Sequence, residues 1–587
     1  MQKIVLNDPE TKSADIVAEN IDVLKALFPD AVREGRIDFD ILKQLLGGEV
    51  DEREEKYGLN WHGKRRARQI ALTPSTGTLL PCPEDSVDWE TTQNLMIEGD
   101  NLEVLKLLQK SYAGKVKLIY IDPPYNTGKD FVYPDDFRDS IKNYLQITGQ
   151  ISQCGQKITS NTESSGRFHT EWLNMIYSRL KAARTLLSPG GVIAISIDDG
   201  EVNNLRHICD EIFGEEGFIA QLIWKSRVSE DTRAITGVST DHEYILCYSK
   251  NEGVSFRGAD KDTDKFSNPD IDPRGPWRSA DLTGLATKDA RPNLHYDLID
   301  PATGINYGCP PKGWRYEKST MEQKIKEGRI LFPKNASGRP RHKLFLHDMR
   351  SNFKNLSSIL GGFSTADGTR ELTQLMGGIA FTFPKPTALA RLLCEQVTEE
   401  GDIVLDFFAG SGSTAHGVML QNAADGLSRR FILVQLPETL DSTNRDQGAA
   451  AELCNKLDKP LNIAELTKER LRRAKNNIQE GHKNLEKDLG FRAFKLASSN
   501  IKTWEPVPTD LEGTLLAHAE HLVPGRTEAD ILTELLLKLG LDLCVPIETR
   551  AIAGKTVHSI GSGALIVCLS DGLTHEVVEA LGLGIVA

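Results

Sequence analysis

The stretch "LDFFAGSGSTA", residues 405–415, joins a buried strand to a helix through a loop of small residues. The apolar run "DIVLDFF" (402–408) predicts the strand, and "STAHGVMLQ" (413–421) predicts the helix. Gly410 and Gly412, with the alanine that follows, match the G-x-G-x-x-A spacing that lets a ligand approach the backbone closely. The first interpretation of this loop is therefore a dinucleotide site, although a tight turn alone can give the same spacing.

The residue before the loop, Asp406, separates two kinds of ligand. It ends the strand close to the place where a dinucleotide would put its pyrophosphate, and a carboxylate there would repel the phosphates. The same carboxylate would attract the ammonium and sulfonium groups of S-adenosylmethionine (AdoMet). The sequence also contains no G-x-x-x-x-G-K-[ST] cradle for ATP. The loop therefore favours AdoMet, with a helix-capping role for Asp406 as the structural alternative.

Alternating strands and helices lie on both sides of this loop. Predicted strands include "NLMIEGD" (94–100), "VKLIYID" (116–122) and "GVIAISIDD" (191–199), and helical periods separate them. The alternation fails over residues 251–376, which are rich in Asp, Pro, Gly and Arg, and resumes at the helix 386–397. The sequence therefore predicts an α/β fold in which one doubly wound parallel sheet is split by an inserted domain.

Both ends of the chain predict extensions to this sheet. The first 90 residues indicate short helices and a Pro/Ser/Thr/Gly-rich linker at 73–86. From about residue 440 we expect a separate tail, with a long charged helix and a small α/β unit. Five regions are predicted: the helical start with its linker (1–90), the first half of the sheet (91–250), the insertion (251–376), the second half of the sheet (377–440) and the tail (441–587).

The second motif, "LIYIDPPYNTG" (118–128), is a buried strand followed by an acid, two prolines and an aromatic ring. An exocyclic amino group of a nucleobase is a weak nucleophile, because its lone pair is delocalised into the ring. Asp122 and the carbonyl of Pro123 can accept its two hydrogens, and the prolines keep both acceptors in place. Tyr125 offers a face on which an extrahelical base can stack. The alternative is a rigid turn with a capping acid.

The motifs "DPPYNTG", "FPKPTALARLL" and "VLDFFAGSGSTAHGV", in this order, resemble the β-group of amino-methyltransferases. The resemblance covers about residues 55–580 and is greatest to the modification subunits of type III restriction–modification systems. It implies a Rossmann-like, AdoMet-dependent methyltransferase sheet with a permuted motif order and a target-recognition insertion. It also implies N6-adenine methylation of double-stranded DNA, since Asp heads the catalytic loop where Ser would indicate N4-cytosine.

The resemblance further implies the site residues. Those of the catalytic loop would be Asp122, Pro123, Pro124 and Tyr125. Those near AdoMet would be Gly99, Asp100, Lys385, Pro386, Asp406, Phe408, Gly410, Gly412, Ser413 and Thr414. Many AdoMet enzymes present an acid to the ribose hydroxyls after the next strand; here Gln435 stands there, with Glu438 three residues on, and the choice between them is open. No metal ligand is expected.

Sequence recognition of DNA is expected within the insertion. Residues 301–350 contain 11 Lys/Arg and 4 Asp/Glu, interleaved with aromatic residues, although the whole chain has a net charge of −13. The predicted DNA contacts are Trp314, Arg315, Lys324, Lys326, Arg329, Arg339 and Arg341. A solvated surface or local core is the alternative for any one of them.

The remaining expectations concern partners and location. The resemblance implies a homodimer that joins a separate ATP-dependent restriction (helicase–nuclease) subunit. Nine scattered cysteines without a C-x-x-C pair, no secretory leader and no long apolar run predict a cytoplasmic protein without a membrane span. The apolar end "LGLGIVA" indicates either a sheet without an edge strand or a chain that continues in its relatives. Two alternatives remain: a stand-alone adenine or cytosine-N4 methyltransferase, and a DNA-binding specificity module with little catalytic activity.

Overall fold

A mixed ten-stranded sheet organises most of the described chain. The computed structural model describes residues 13–33, 35–46, 58–128, 168–261, 263–349, 353–482, 485–502, 521–570 and 572–586. The strands of the large sheet are β1 (Gly77–Pro81), β2 (Leu95–Glu98), β3 (Val116–Ile121), β4 (Leu187–Ile197), β5 (Phe218–Trp224), β6 (Glu243–Ser249), β7 (Ile359–Leu360), β8 (Ile403–Asp406), β9 (Arg430–Gln435) and β10 (Arg492–Ser498). The α-helices are α1 (Ile16–Leu27), α2 (Phe39–Leu46), α3 (Lys64–Leu72), α4 (Asn101–Tyr112), α5 (Phe168–Leu186), α6 (Val202–Phe213), α7 (Lys318–Lys326), α8 (Thr365–Met376), α9 (Thr387–Val397), α10 (Ser413–Asp425), α11 (Gly448–Lys456), α12 (Ile463–Gly481), α13 (Glu528–Leu539) and α14 (His575–Val586).

The strand order of the sheet is β7-β5-β6-β4-β3-β8-β9-β2-β10-β1. The six central strands from β4 to β10 run parallel to one another, while β6 and β1 run antiparallel to their neighbours. Buried apolar runs explain the middle of the sheet, since Leu118, Ile119 and Ile121 in β3 are fully inaccessible. The predicted α/β fold and its split sheet are confirmed, with antiparallel strands added to the predicted parallel order.

A second compact unit spans Phe256–Leu356 and interrupts the first, which comprises Met1–Ser255 and Ser357–Ala587. The second unit has a three-stranded antiparallel sheet, Trp277–Asp281, Arg341–Phe345 and Ile330–Leu331, and a strand pair, Ala259–Asp260 with Phe353–Lys354. It is narrower than the predicted insertion of 251–376, because the chain after Ser357 rejoins the first unit. There β7 pairs with β5, and α8 packs against α12.

Two sequence-based expectations were wrong. The predicted linker at 73–86 contains β1, which pairs antiparallel with β10. The tail expected to be separate from about residue 440 provides β10, which lies parallel to β2 inside the sheet. Each strand is short and is completed by a partner roughly 400 residues away in sequence, so local patterns could not reveal the pairing.

Parts of the predicted regions lie outside the described residues, including 129–167 of the first sheet half and the end of the chain at Ala587. Among the helices that the structure describes, none combines the length and the apolar character needed to cross a membrane.

Candidate active site

Two loops meet at one edge of the sheet because they follow neighbouring strands. β8 pairs in parallel with β3, with Leu405 opposite Ile119. Asp406 ends β8 and Asp122 follows β3, so both carboxylates leave the sheet at its carboxyl edge. This is the edge at which open α/β sheets bind their ligands. We call residues 122–128 the catalytic loop and residues 407–412 the glycine loop.

Neighbouring side chains fix the catalytic loop. The indole Nε1 of Trp172, a fully buried residue of α5, donates a hydrogen bond of 2.6 Å to the carbonyl of Pro124. Asn126 has a φ of 62°, a left-handed conformation that Asn adopts more readily than most residues, and its Nδ2 lies 2.6 Å from Glu201 Oε1. The loop is therefore held by a helix and by a buried carboxylate, in addition to its prolines.

An internal ammonium group lies against the predicted acceptor. Lys385 Nζ is 2.8 Å from Asp122 Oδ1 and 3.2 Å from Glu243 Oε2, and its side chain is 11% exposed. The hydroxyl of Tyr125 donates to the same Glu243 oxygen at 2.9 Å. Lys385 Nζ also lies 4.8 Å from the centroid of the Tyr125 ring. Four side chains thus form one connected cluster around the catalytic loop.

Burial and charge oppose each other in this cluster. Burial raises the pKa of Asp122, and the adjacent Lys385 ammonium lowers that pKa without cancelling the rise. Burial works against the charged form of Lys385, but Asp122 and Glu243 outweigh it and leave the pKa of Lys385 raised. Lys385 is therefore an ammonium at neutral pH.

The glycine loop holds a second buried carboxylate in a different way. Asp406 is 4% exposed and accepts hydrogen bonds from Thr414 Oγ1 at 2.6 Å and from the Phe408 N–H at 3.0 Å. Burial raises its pKa to about 7. Gly410 and Gly412 have φ values of 50° and 78°, so their backbone favours glycine. A cationic ligand group would stabilise the ionised Asp406, and this donor set therefore fits the methionine part of AdoMet.

Helix α12 supports the glycine loop through two side chains. Thr467 Oγ1 donates a hydrogen bond of 2.6 Å to the carbonyl of Gly410. The side chain of Arg470 is fully buried, and its guanidinium donates hydrogen bonds of 2.7 Å to Ser411 Oγ and 2.9 Å to Ser413 Oγ. No local sequence pattern indicated this contact, because α12 lies in the tail that was expected to be separate.

Gln435 and Glu438 are distinguished by their contacts. The amide oxygen of Gln435 accepts a hydrogen bond of 2.7 Å from the Gly410 N–H. Its Nε2 donates a hydrogen bond of 3.0 Å to the carbonyl of Leu436. The Gln435 side chain is thus engaged with the glycine loop and its own strand. Burial raises the pKa of the half-buried Glu438 to about 7.

The other predicted cofactor residues have clear structural partners. Asp100 caps α4 through the Glu103 N–H at 3.1 Å and forms an ion pair with Arg179 at 3.1 Å. A Cβ on Gly99 would lie 2.5 Å from Leu496 Cβ, so β10 requires a glycine there. Pro386 is the N-cap of α9, and the carbonyl of Lys385 accepts a hydrogen bond of 2.7 Å from Ser413 Oγ. The backbone of Lys385 therefore contacts Ser413, which directly follows the glycine loop, while its ammonium contacts the catalytic loop.

A cleft of about 1180 Å³ opens above the catalytic loop. Tyr125, Glu243 and Lys385 line it, together with the rim residues Arg227, Arg233 and Phe383. Phe383 is 77% exposed at this rim and has a φ of 52°. The cleft is large enough for a nucleobase, and three of its lining residues, Tyr125, Glu243 and Lys385, belong to the cluster that contains Asp122.

A separate group of three carboxylates, Asp85, Glu98 and Glu465, has the spacing of a metal site but surrounds a lysine. Lys468 Nζ lies 2.9, 2.7 and 2.8 Å from these three residues. The ammonium of this fully buried lysine pairs with all three carboxylates and ties α12 to β2.

The predicted DNA contacts lie in the second unit and do not form one uniform surface. Trp314 is 3% exposed and belongs to the core of this unit, where its indole donates a hydrogen bond of 2.8 Å to the carbonyl of Tyr296. This correction follows from its burial, since a core ring cannot reach DNA. Arg329 pairs with Asp348 and Glu327, and Lys324 lies over the Tyr316 ring. The side chain of Arg341 is 43% exposed, and the remaining exposed residues are Arg315, Lys326 and Arg339.

The fold and the two loops together define an AdoMet-dependent amino-methyltransferase. Residues 116–439 match the family described as DNA methylase. The chain is 31% identical to the Mod subunit of the type III restriction-modification enzyme EcoP15I from Escherichia coli, over 99% of this chain and 92% of that protein. It is also 31% identical to the EcoPI Mod subunit from Escherichia phage P1, with the same coverage of 99% and 92%. The solved PvuII DNA methyltransferase (cytosine-N4-specific) aligns with 62% of this chain and 93% of its own, at 15% identity and a TM-score of 0.28.

The chain belongs to the Mod subunits of type III restriction–modification enzymes and carries a DNA N6-adenine methylase domain that uses AdoMet. The predicted family and activity are confirmed. Sequence reasoning missed Glu243, Trp172, Thr467 and Arg470. The only available signal was the acid at the start of the otherwise apolar strand "HEYILCYSK", which provides Glu243.

Proposed function

We propose that this site methylates N6 of an adenine that has left the DNA helix, within a specific DNA sequence. The observation that carries the proposal is the position of Asp122 and Asp406 at the ends of neighbouring parallel strands: Asp122 belongs to the side-chain cluster that borders an open cleft, and Asp406 precedes the glycine loop. A base inside a duplex is paired and stacked and cannot present its amino group to this carboxylate, so the adenine must be extrahelical.

The catalytic loop provides the acceptors. Asp122 and the Pro123 carbonyl accept the two amino hydrogens and favour a pyramidal nitrogen with an available lone pair. Tyr125 stacks on the base, and Asp122 accepts the proton when the nitrogen becomes cationic. AdoMet, when bound, supplies the methyl group.

The glycine loop provides the cofactor site. Asp406 binds the cationic methionine part, and Phe408, Gly410, Gly412, Ser413 and Thr414 shape the backbone around it. We assign the ribose hydroxyls to Glu438, because the amide of Gln435 already bonds to Gly410 and Leu436. Gly99 and Asp100 lie on the β2 side of the site, toward the adenine of the cofactor.

The partners follow from family membership. We propose that the chain forms a homodimer, acts on double-stranded DNA in the cytoplasm, and joins a separate ATP-dependent restriction subunit, since the relatives are Mod subunits of restriction-modification enzymes. The second unit, with exposed Arg315, Lys326 and Arg339, is the proposed reader of the DNA sequence.

Nucleoside analysis tests the proposal directly. The full chain is incubated with radiolabelled AdoMet and a mixed-sequence duplex, and the DNA is digested to nucleosides. Label in N6-methyl-2′-deoxyadenosine is the expected result, and sequencing of the methylated bases in an undigested sample should place them at one recurring sequence. Label in N4-methylcytosine, label in RNA only, or AdoMet binding without transfer to any DNA would contradict the proposal and favour one of the alternatives from the sequence.

A further inference from the structure

The cluster of Lys385, Asp122, Glu243 and Tyr125 contains more than the acceptor geometry requires. We propose that Lys385 and Glu243 are positioning residues for methyl transfer: Lys385, anchored by Glu243, keeps Asp122 an ionised acceptor and occupies Oδ1, so that the target amino group is directed to Oδ2. This inference rests on the proposed function, because it gives Asp122 the role of target-base acceptor.

The contacts support a fixed ammonium rather than a mobile surface lysine. Lys385 Nζ contacts two carboxylates at 2.8 and 3.2 Å, and its side chain is 11% exposed. Its backbone is held from the other side, since its carbonyl accepts from Ser413 Oγ. Both ends of the residue are therefore fixed between the catalytic loop and the start of α10.

Glu243 links the lysine to the stacking ring. Its Oε2 accepts the Tyr125 hydroxyl and faces the Lys385 ammonium. The lysine in turn lies 4.8 Å from the centre of the Tyr125 ring, within cation–π distance. Glu243 thus sets the position of both the cation beside Asp122 and the ring on which the base stacks.

The charges around Asp122 show why a cation is needed. The groups that face it are Lys385 and Tyr125, with Glu243, Tyr120 and Asp406. Lys385 is the only cation in this set of described residues, while burial and the carboxylate of Glu243 favour the protonated form of Asp122. A protonated Asp122 would donate a hydrogen bond instead of accepting one, and the amino group of the base would lose its partner.

The pH dependence of kcat on duplex DNA tests this role, with AdoMet saturating so that titration of Asp406 does not enter. In Lys385→Met the acidic limb should move to higher pH by about 1 to 3 pH units, because an opposite charge is removed from Asp122. In Glu243→Gln the limb should move in the opposite direction, because a like charge is removed. Lys385→Arg retains the cation and should keep the limb near its wild-type position, and the exposed Lys456→Met is the matched control.

Opposite shifts in the two variants are the expected signature, since a merely structural role would lower kcat without moving the limb. An unmoved limb in Lys385→Met, or an upward shift in Glu243→Gln, would overturn the inference.

A second measurement does not depend on activity. DNA-free protein is treated with acetic anhydride at a series of pH values, and each lysine is quantified by mass spectrometry. Lys385 should acetylate only at higher pH than exposed Lys456, and Glu243→Gln or Asp122→Asn should lower the pH at which it reacts. Acetylation of wild-type Lys385 together with Lys456 would overturn the inference. Protected Lys385 in a protein that methylates no DNA would leave the anchored ion pair in place and count against the proposed function instead.

Discussion

The catalytic loop and the glycine loop follow neighbouring strands, yet they hold their carboxylates by opposite means. Asp122 stands on a proline-stiffened loop and has a lysine ammonium at 2.8 Å. Asp406 stands before a glycine-rich loop and is held by a hydroxyl and a backbone N–H. The first carboxylate has its own cation and can receive a neutral amino group, while the second is suited to a ligand that brings a cation.

In each loop a helix side chain also donates a short hydrogen bond to a backbone carbonyl. Trp172 of α5 donates to Pro124, and Thr467 of α12 donates to Gly410, both at 2.6 Å. The two loops should therefore be separable: changes around the catalytic loop should affect transfer, and changes around the glycine loop should affect cofactor affinity.

The largest effect is expected from Asp122→Ala. Loss of the acceptor should lower kcat by about 10²- to 10⁴-fold, the range of a positioned acid–base group, while AdoMet affinity is retained. Label transfer to DNA and calorimetric AdoMet binding measure the two quantities, with exposed Asp22→Ala as a control. An active Asp122→Ala enzyme would remove the distinction between the two loops.

Asp406→Asn should lower the affinity for AdoMet rather than kcat. Loss of a charge-assisted contact should weaken AdoMet binding by about 10- to 100-fold. Because the pKa of Asp406 without ligand is about 7, wild-type affinity should fall as the pH drops below 7 and level off above it. The Asn variant should lose this dependence, whereas Asp402→Asn, at the opposite end of β8, should keep it.

Trp172→Phe should disturb the catalytic loop alone. The Pro124 carbonyl loses its donor and a small void remains, so kcat should fall by about 3- to 10-fold, with an unchanged AdoMet Kd. Trp61→Phe is the matched control, because it removes an indole hydrogen bond of 2.7 Å to Asn174 on the same helix without contacting the loop. Equal effects of both changes would indicate a general loss of α5 stability.

The smallest effect is expected from Thr467→Val. Loss of one neutral hydrogen bond to Gly410 should raise the AdoMet Kd by about 2- to 5-fold, without changing kcat at saturating cofactor. Thr467→Ser keeps the hydroxyl and should bind as the wild type does. A kcat defect in Thr467→Val that persists at saturating AdoMet would show that α12 supports more than the cofactor loop.

The sequence predicted what depends on local pattern. Strand–helix alternation located β3 and β8, and the chemistry of Asp122 and Asp406 followed from residue type and position. Contacts between distant segments could not be obtained in this way. β1 was interpreted as a linker because of its prolines and its neighbours, and Glu243 was not singled out within its predicted strand. The basic and aromatic pattern around Trp314 did not distinguish a DNA contact from the core of the second unit.

The position of β10 has a consequence for synthesis on the ribosome. This strand lies between β2 and β1, yet it is made roughly 400 residues after them. At ribosomal rates of about 5 to 20 residues per second, the edge of β2 stays unpaired for about 20 to 80 s while the second unit and both ligand loops emerge. The nascent sheet therefore has an open edge during that time, and a chain released before residue 498 would retain it permanently.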